Sequence, residues 1–191
     1  MNQSVTAVRS VAQLLELTRA EARPKYLFFW GHRAASDGRV TASCFSQWWP
    51  AAFEVDGTRY ASAEHFMMAG KARLFGDEAI RAQVLAAPTP AEAKALGRKV
   101  ANFDGARWER ERFAIVVAAN MAKFGQHPDL REFLVQTGDC VLVEASPVDA
   151  IWGIGLAADH ADAQRPERWQ GLNLLGFALM EVRERLATRT D

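Results

Sequence analysis

Several things are scarce in this sequence, and each scarcity closes a class of function. Only two of its 191 residues are cysteine, Cys44 and Cys140. They stand far apart, with no second thiol beside either. No C-x-x-C zinc spacing and no disulfide framework can be read from them, and two reduced thiols in a cytosolic protein are expected. The four histidines, His32, His65, His127 and His160, show no H-x-x-x-H spacing, so no metal site is expected. A surplus of one charge is missing too: Lys plus Arg and Asp plus Glu number 23 each. That excludes binding nucleic acid by bulk electrostatics, but leaves room for a local basic pocket. The longest apolar run, Phe113 to Ala119, is far short of the roughly 20 residues a membrane span needs. The first twenty residues carry neither a long apolar core nor a small-residue cleavage site, so no signal peptide is read and a soluble, cytoplasmic protein is expected. There is no G-x-S-x-G elbow, Walker loop or Rossmann glycine pattern, no repeat, and no linker long enough to divide the chain.

What is present is an ordinary globular balance, 49% hydrophobic and 24% charged, enough for one domain with a real core. An amphipathic helix is predicted over about residues 4–20, ending before Pro24. Lys25–Gly31 reads as a short aromatic strand and Val40–Phe45 as a second. Phe53–Tyr60 is a hairpin whose Asp56-Gly57 pair supplies the positive φ angles of a tight turn. Helices then follow: one from the Asp77 cap to about Ala86, one from Thr89-Pro90 to Gly97, and one from Asp104 to Phe124. Another spans Pro128–Thr137. Cys140–Glu144 is a short strand, a loop runs to residue 170, and the last helix carries Leu172, Leu175, Leu179, Val182 and Leu186. The pattern is mainly α (α+β), one multihelical domain with small β-hairpin elements gathered near the middle of the sequence.

The chain is organised around Ser62–Asp77. Ser62 is a good N-cap and Gly76 a good stop. Glu64, Met68, Lys71 and Phe75 share one helical face, with Glu64 and Lys71 two turns apart, roughly 10 Å along the axis at 1.5 Å per residue. That is too far for a surface pair, but suits two charges reaching one small ligand from opposite ends. The alternative is a surface helix with solvated charges. Three loop regions add further candidates. Trp48, beside Trp49 and before Pro50, can stack on a planar ligand or cover the core. In Leu142–Gly155, Asp149 is a second carboxylate for Glu64 if the loop folds over the helix, or else a turn cap. Trp152, Gly153 and Gly155 follow it, and glycines let backbone approach a ligand. Trp169–Gly176, which contains Asn173, opens the last helix, whose N-terminus favours anions.

These residues resemble a known family. Phe45-Ser46 with Pro50, Phe53-Glu54-Val55-Asp56-Gly57 with Tyr60, and Ala63-Glu64-His65-Phe66-Met67-Met68-Ala69 with Lys71-Ala72 and Leu74–Asp77 look like the YbiA-like, or NADAR, family. So do Leu142–Ser146, Asp149, Trp152-Gly153-Ile154-Gly155 and Gly171–Gly176. The likeness covers about residues 26–187 of a single 1–191 domain. It implies a mainly helical fold and N-glycosidase chemistry without a cofactor. The substrates implied are phosphorylated ribosylamino-pyrimidine intermediates of riboflavin biosynthesis, cleaved to ribose 5-phosphate and the amino-pyrimidine. In other members they are ADP-ribose compounds, including ADP-ribosylated guanine in nucleic acid. The resemblance places Glu64 and Lys71 in the active site. The chain departs from the family pattern at Gln47-Trp48-Trp49, where Asn-Phe-Tyr is usual, and at Gly70, where Gln is common; both positions bear on the pocket wall.

Cleaving a C1′–N bond needs negative charge near an oxocarbenium-like centre and a proton for the leaving base. Glu64 or Asp149 can supply the first. Lys71, if desolvated, is expected to be the nucleophile that attacks C1′ of the opened sugar and forms an imine that water resolves; the alternative is that it only holds an anion. The expected catalytic set is therefore Lys71, Glu64 and Asp149, with Trp48, Trp152, Gly153 and Asn173 binding substrate and no metal. A module that holds NAD or ADP-ribose without cleaving it is the rival from another class, and a helical protein with no small-molecule site is a third reading.

Overall fold

The computed structural model describes residues 5–20 and 23–188. Its described residues form seven α-helices and four short strands, which makes the fold mainly helical with minor β structure. The chain divides into two compact units. One is contiguous, Gln47–His127, and the other combines Met1–Ser46 with Pro128–Asp191.

The contiguous unit begins with the hairpin of β2 (Phe53–Val55) and β3 (Thr58–Tyr60). Asp56 and Gly57 turn it with φ of 50° and 72°, as an Asp-Gly pair does in a tight hairpin. Four helices follow: α2 (Ala63–Leu74), α3 (Glu78–Ala86), α4 (Pro90–Gly97) and α5 (Gly105–Gln126). Each starts where a short polar side chain can satisfy a free backbone N–H. Ser62, Asp77, Thr89 and Asp104 accept from His65, Ile80, Glu92 and Arg107 respectively. Helix α2 ends in a Schellman arrangement: Gly76 N donates to Arg73 O and Asp77 N to Ala72 O, at 3.2 and 2.9 Å, with Gly76 at φ 73°. α3, α4 and α5 all pack on α2. It is therefore buried nearly all round, from Ala63 through Ala69. α5 runs past Gly125 to Gln126, two residues beyond the expected end. Gln126 then closes both backbone bonds with Glu54 of the hairpin.

The other unit is built from the chain's two ends. α1 (Val11–Arg19) starts at the Ser10 cap. The preceding Val5–Ala7 is a separate 3-10 turn, so the expected continuous helix is broken, and Ser4 lies outside the described residues. β1 (Tyr26–Phe29) pairs in parallel with β4 (Val141–Glu144), Tyr26 opposite Val141 and Phe29 opposite Glu144. The β structure is thus not gathered in the middle of the sequence. α6 (Pro128–Gln136) and α7 (Leu174–Ala187) complete this unit, with α7 packed on β4. The strand expected over Val40–Phe45 does not form. Ala42–Phe45 is a 3-10 turn, closed by Cys44 N to Thr41 O and Ser46 N to Ser43 O. Its apolar pair, Cys44 and Phe45, is buried by a turn as well as by a strand.

Candidate functional site

Glu64 sits in the first turn of α2 and is 2% exposed. A carboxylate there gains from the helix dipole. Its backbone N–H donates to Gln47 O at 3.0 Å. His65, beside it, is locked by its neighbours. Ser62 Oγ donates to Nδ1 at 2.8 Å, and Nε2–H donates to Ala87 O at 3.0 Å. Desolvation lowers the His65 pKa and keeps the ring neutral. This histidine ties α2 to the end of α3 and has no nitrogen left for chemistry.

Lys71 lies two turns further on, half-buried. Its Nζ donates to Gly97 O at 2.8 Å. It stands 4.3 Å above the centre of the Phe103 ring and 5.7 Å from that of Trp108. Its pKa is lowered, first by desolvation and then by the like charge of Arg98. No carboxylate pairs with Lys71 or Arg98 among the described residues. α2 thus presents a buried carboxylate at one end and Lys71 at the other, where Arg98, at the end of α4, adds a second cation. Trp48, in the same unit, is half-buried with Lys94 Nζ 5.8 Å from its ring centre.

The remaining expected residues belong to the other unit and do local structural work there. Asp149 Oδ1 accepts from Ile151 N and Trp152 N, at 2.9 and 2.8 Å, which is the turn-capping arrangement. Trp152 is half-buried. A Cβ on Gly153 would stand 2.7 Å from Glu144 O, so this glycine admits backbone rather than open space. Asn173, wholly buried at φ 52°, braces β4. Its Oδ1 accepts from Glu144 N and its Nδ2 donates to Leu142 O, both at 2.9 Å. One side chain thereby takes the place of a neighbouring strand along the edge of β4.

Sequence reasoning noted Gln47 only as part of a departure from the family pattern, and it missed Asn120 and Lys123. Val116, Asn120 and Lys123 fall at i, i+4 and i+7 on α5, and all three are fully buried. Two polar residues on a helix's buried stripe were visible in the spacing. Among the described residues no group of three or more His, Cys, Asp or Glu could hold a metal ion, and no helix is long and apolar enough to cross a membrane.

Comparison with known proteins decides the family. The NADAR domain model matches residues 28–187. The chain belongs to the NADAR family. The N-glycosidase R617 of Acanthamoeba polyphaga mimivirus is 43% identical over 165 residues, covering 84% of this chain and 95% of that one. The N-glycosidase YbiA of Escherichia coli (strain K12) is 35% identical over 139 residues, covering 73% and 77%. The NMR structure of E. coli YbiA superposes with a TM-score of 0.65 at 29% identity, covering 87% of this chain and 88% of that one. An N-glycosyl hydrolase is what NADAR membership implies, and the geometry of α2 bears on which glycoside such an enzyme opens.

Proposed function

We propose that the chain hydrolyses the C1′–N bond of phosphorylated ribosylamino-pyrimidines of the kind formed in riboflavin biosynthesis, releasing ribose 5-phosphate and the amino-pyrimidine. The observation that carries this reading is the placement of charge along α2. Glu64 stands at one end, while Lys71, with Arg98 beside it, stands roughly 10 Å away at 1.5 Å of rise per residue. A sugar phosphate has the same polarity: a reacting C1′ at one end and a dianion at the other. Two cations close enough to lower a lysine's pKa repel each other, and a phosphate relieves that repulsion.

In this reading Glu64 works at C1′. The C1′–N bond breaks with its electron pair going to the base nitrogen, while the Glu64 carboxylate stabilises the positive charge left on C1′. Glu64 then takes a proton from the water that adds at C1′ and hands it to the departing base. Of the two roles open to Lys71, attack on C1′ or holding an anion, its position at the far end of α2 favours the second.

The test is release of base from the ribosylamino-pyrimidine 5′-phosphate and from the same nucleoside without its phosphate, followed by chromatography. The phosphorylated compound is expected to be the better substrate. Lys71→Ala should raise KM about tenfold for it alone, the loss of about 1.4 kcal/mol of anion binding. Equal cleavage of both compounds, or a Lys71→Ala variant that loses kcat with KM unchanged, would reverse the assignment. Release of base only from ADP-ribosylated guanine would replace the substrate.

A further inference from the structure

Gln47, which accepts the backbone N–H of Glu64, is bonded in turn to Asn120 of α5. α2 and α5 pack antiparallel, as three pairings show. Lys71, near the end of α2, lies over Trp108 at the start of α5. A Cβ on Gly70 would touch Ile115 Cγ2, at 3.0 Å, further along α5. Gln47, whose carbonyl receives Glu64 N, accepts at its side-chain Oε1 from Asn120 Nδ2 at 2.9 Å, further along still. The start of α2, with Glu64, therefore lies beside the Asn120 end of α5. Lys123 follows Asn120 by one turn.

Both α5 residues are unusual as packing. Asn120 is wholly buried, and its Nδ2 serves Gln47 Oε1 and Val116 O, both at 2.9 Å. Its Oδ1 accepts no hydrogen bond among the described residues. Gln47 is itself buried, with Nε2 3.9 Å from Met67 Sδ. Lys123 is wholly buried, its Nζ 5.0 Å from the centre of the Phe124 ring. Leucine or methionine would fill these sites without desolvating polar groups. Polar side chains kept there at that cost point to orientation of a neighbour, and the neighbour at this end of α2 is Glu64.

We propose that Asn120 and Lys123 are positioning residues for the Glu64 carboxylate. Asn120 acts through Gln47, which fixes the first turn of α2, and Lys123 places a cation at the same end of the helix pair. The inference rests on the reading of Glu64 as the catalytic carboxyl, but its test does not depend on turnover.

Protein labelled with carbon-13 at the glutamate carboxyl carbons is prepared as wild type, Asn120→Leu and Lys123→Met, with the Glu64 resonance assigned through Glu64→Gln. The expected result is a displaced Glu64 resonance in both variants, with the other glutamates unmoved. On the ribosylamino-pyrimidine phosphate, kcat should fall at least tenfold with KM within about threefold. Gln47→Leu combined with Asn120→Leu should be no slower than either alone, because the two act as one device. A folded Asn120→Leu protein with an unmoved Glu64 resonance overturns the proposal, as does a loss confined to KM. If Lys123→Met does not fold, Asn120→Leu decides alone. If wild type releases no base, the glycosidase reading falls while the Glu64 resonance still judges the positioning.

Discussion

Adding one methyl group at Gly97 tests the packing under the candidate site. On an exposed helix, Gly→Ala gains about 0.5–1 kcal/mol from reduced backbone freedom. Here the sign should reverse. A Cβ on Gly97 would lie 2.1 Å from Met68 Sδ, 2.9 Å from its Cγ and 3.2 Å from its Cβ. The sulfur can swing away, but the atoms nearer the α2 backbone cannot, and Met68 is 6% exposed in a closed core. Overpacking of this kind costs about 1–3 kcal/mol. The net expectation is a destabilisation of about 0.5–2 kcal/mol, or about 1–8 °C in Tm for a chain of this size. Urea denaturation followed by circular dichroism reads it directly. Gly70→Ala is the control, because its Cβ meets mainly the methyl ends of Ile115, and it should be near neutral. Met68→Ala alone should cost about 2–5 kcal/mol, but less when combined with Gly97→Ala, since the new methyl enters the vacated space. A Gly97→Ala protein more stable than wild type, or strict additivity with Met68→Ala, would refute the reasoning.

Other outcomes follow from the same structure. Glu64→Gln should lower kcat for base release at least a hundredfold while leaving Tm within about 3 °C, since shape and volume are kept; retained activity would remove Glu64 from the chemistry. His65 is lowered below its ordinary pKa of 6.5 by burial, so the unfolded chain takes up a proton that the folded chain refuses. Stability should therefore be full above about pH 6.5 and fall as pH drops through that value, and thermal melts of His65→Gln should show a flatter profile over the same range. Asn173→Ala should cost about 2–4 kcal/mol in urea titrations, because it leaves Leu142 O and Glu144 N of buried β4 without their partner.

Features fixed by neighbouring residues were legible in the sequence. Asp56-Gly57 announced its hairpin, and Ser62, Asp77, Thr89 and Asp104 announced four helix starts, because capping and positive φ are local chemistry. The Glu64–Lys71 spacing was equally plain. Pairing of β1 with β4 left no trace, since partners more than a hundred residues apart impose no local pattern. Val40–Phe45 misled because a buried 3-10 turn and a short strand ask for the same apolar residues. Gly153 read as a place where backbone can approach a ligand, and Gly171 as part of the opening of the last helix. In the fold they let two loops interlock: a Cβ on Gly171 would stand 2.3 Å from Gly153 O. The pairing of Gln47 with Asn120 escaped notice because residues 47 and 120 meet only in the folded chain, although the place of Asn120 and Lys123 on one face of α5 could be read.

The split origin of one unit has a consequence for the order in which the chain is made. Residues 47–127 form a contiguous unit, so all of its contacts are available as soon as that segment has left the ribosome. β1 has to wait. Its partner β4 is synthesised more than a hundred residues later, on the order of 5–20 s at about 5–20 residues per second. Throughout that interval Tyr26-Leu27-Phe28-Phe29 is an aromatic segment without the partner it has in the fold, the kind of segment that invites pairing with another chain. The newborn protein thus carries an aromatic segment without its partner while more than a hundred further residues are made, and a nascent chain that stalls before Val141 leaves it so.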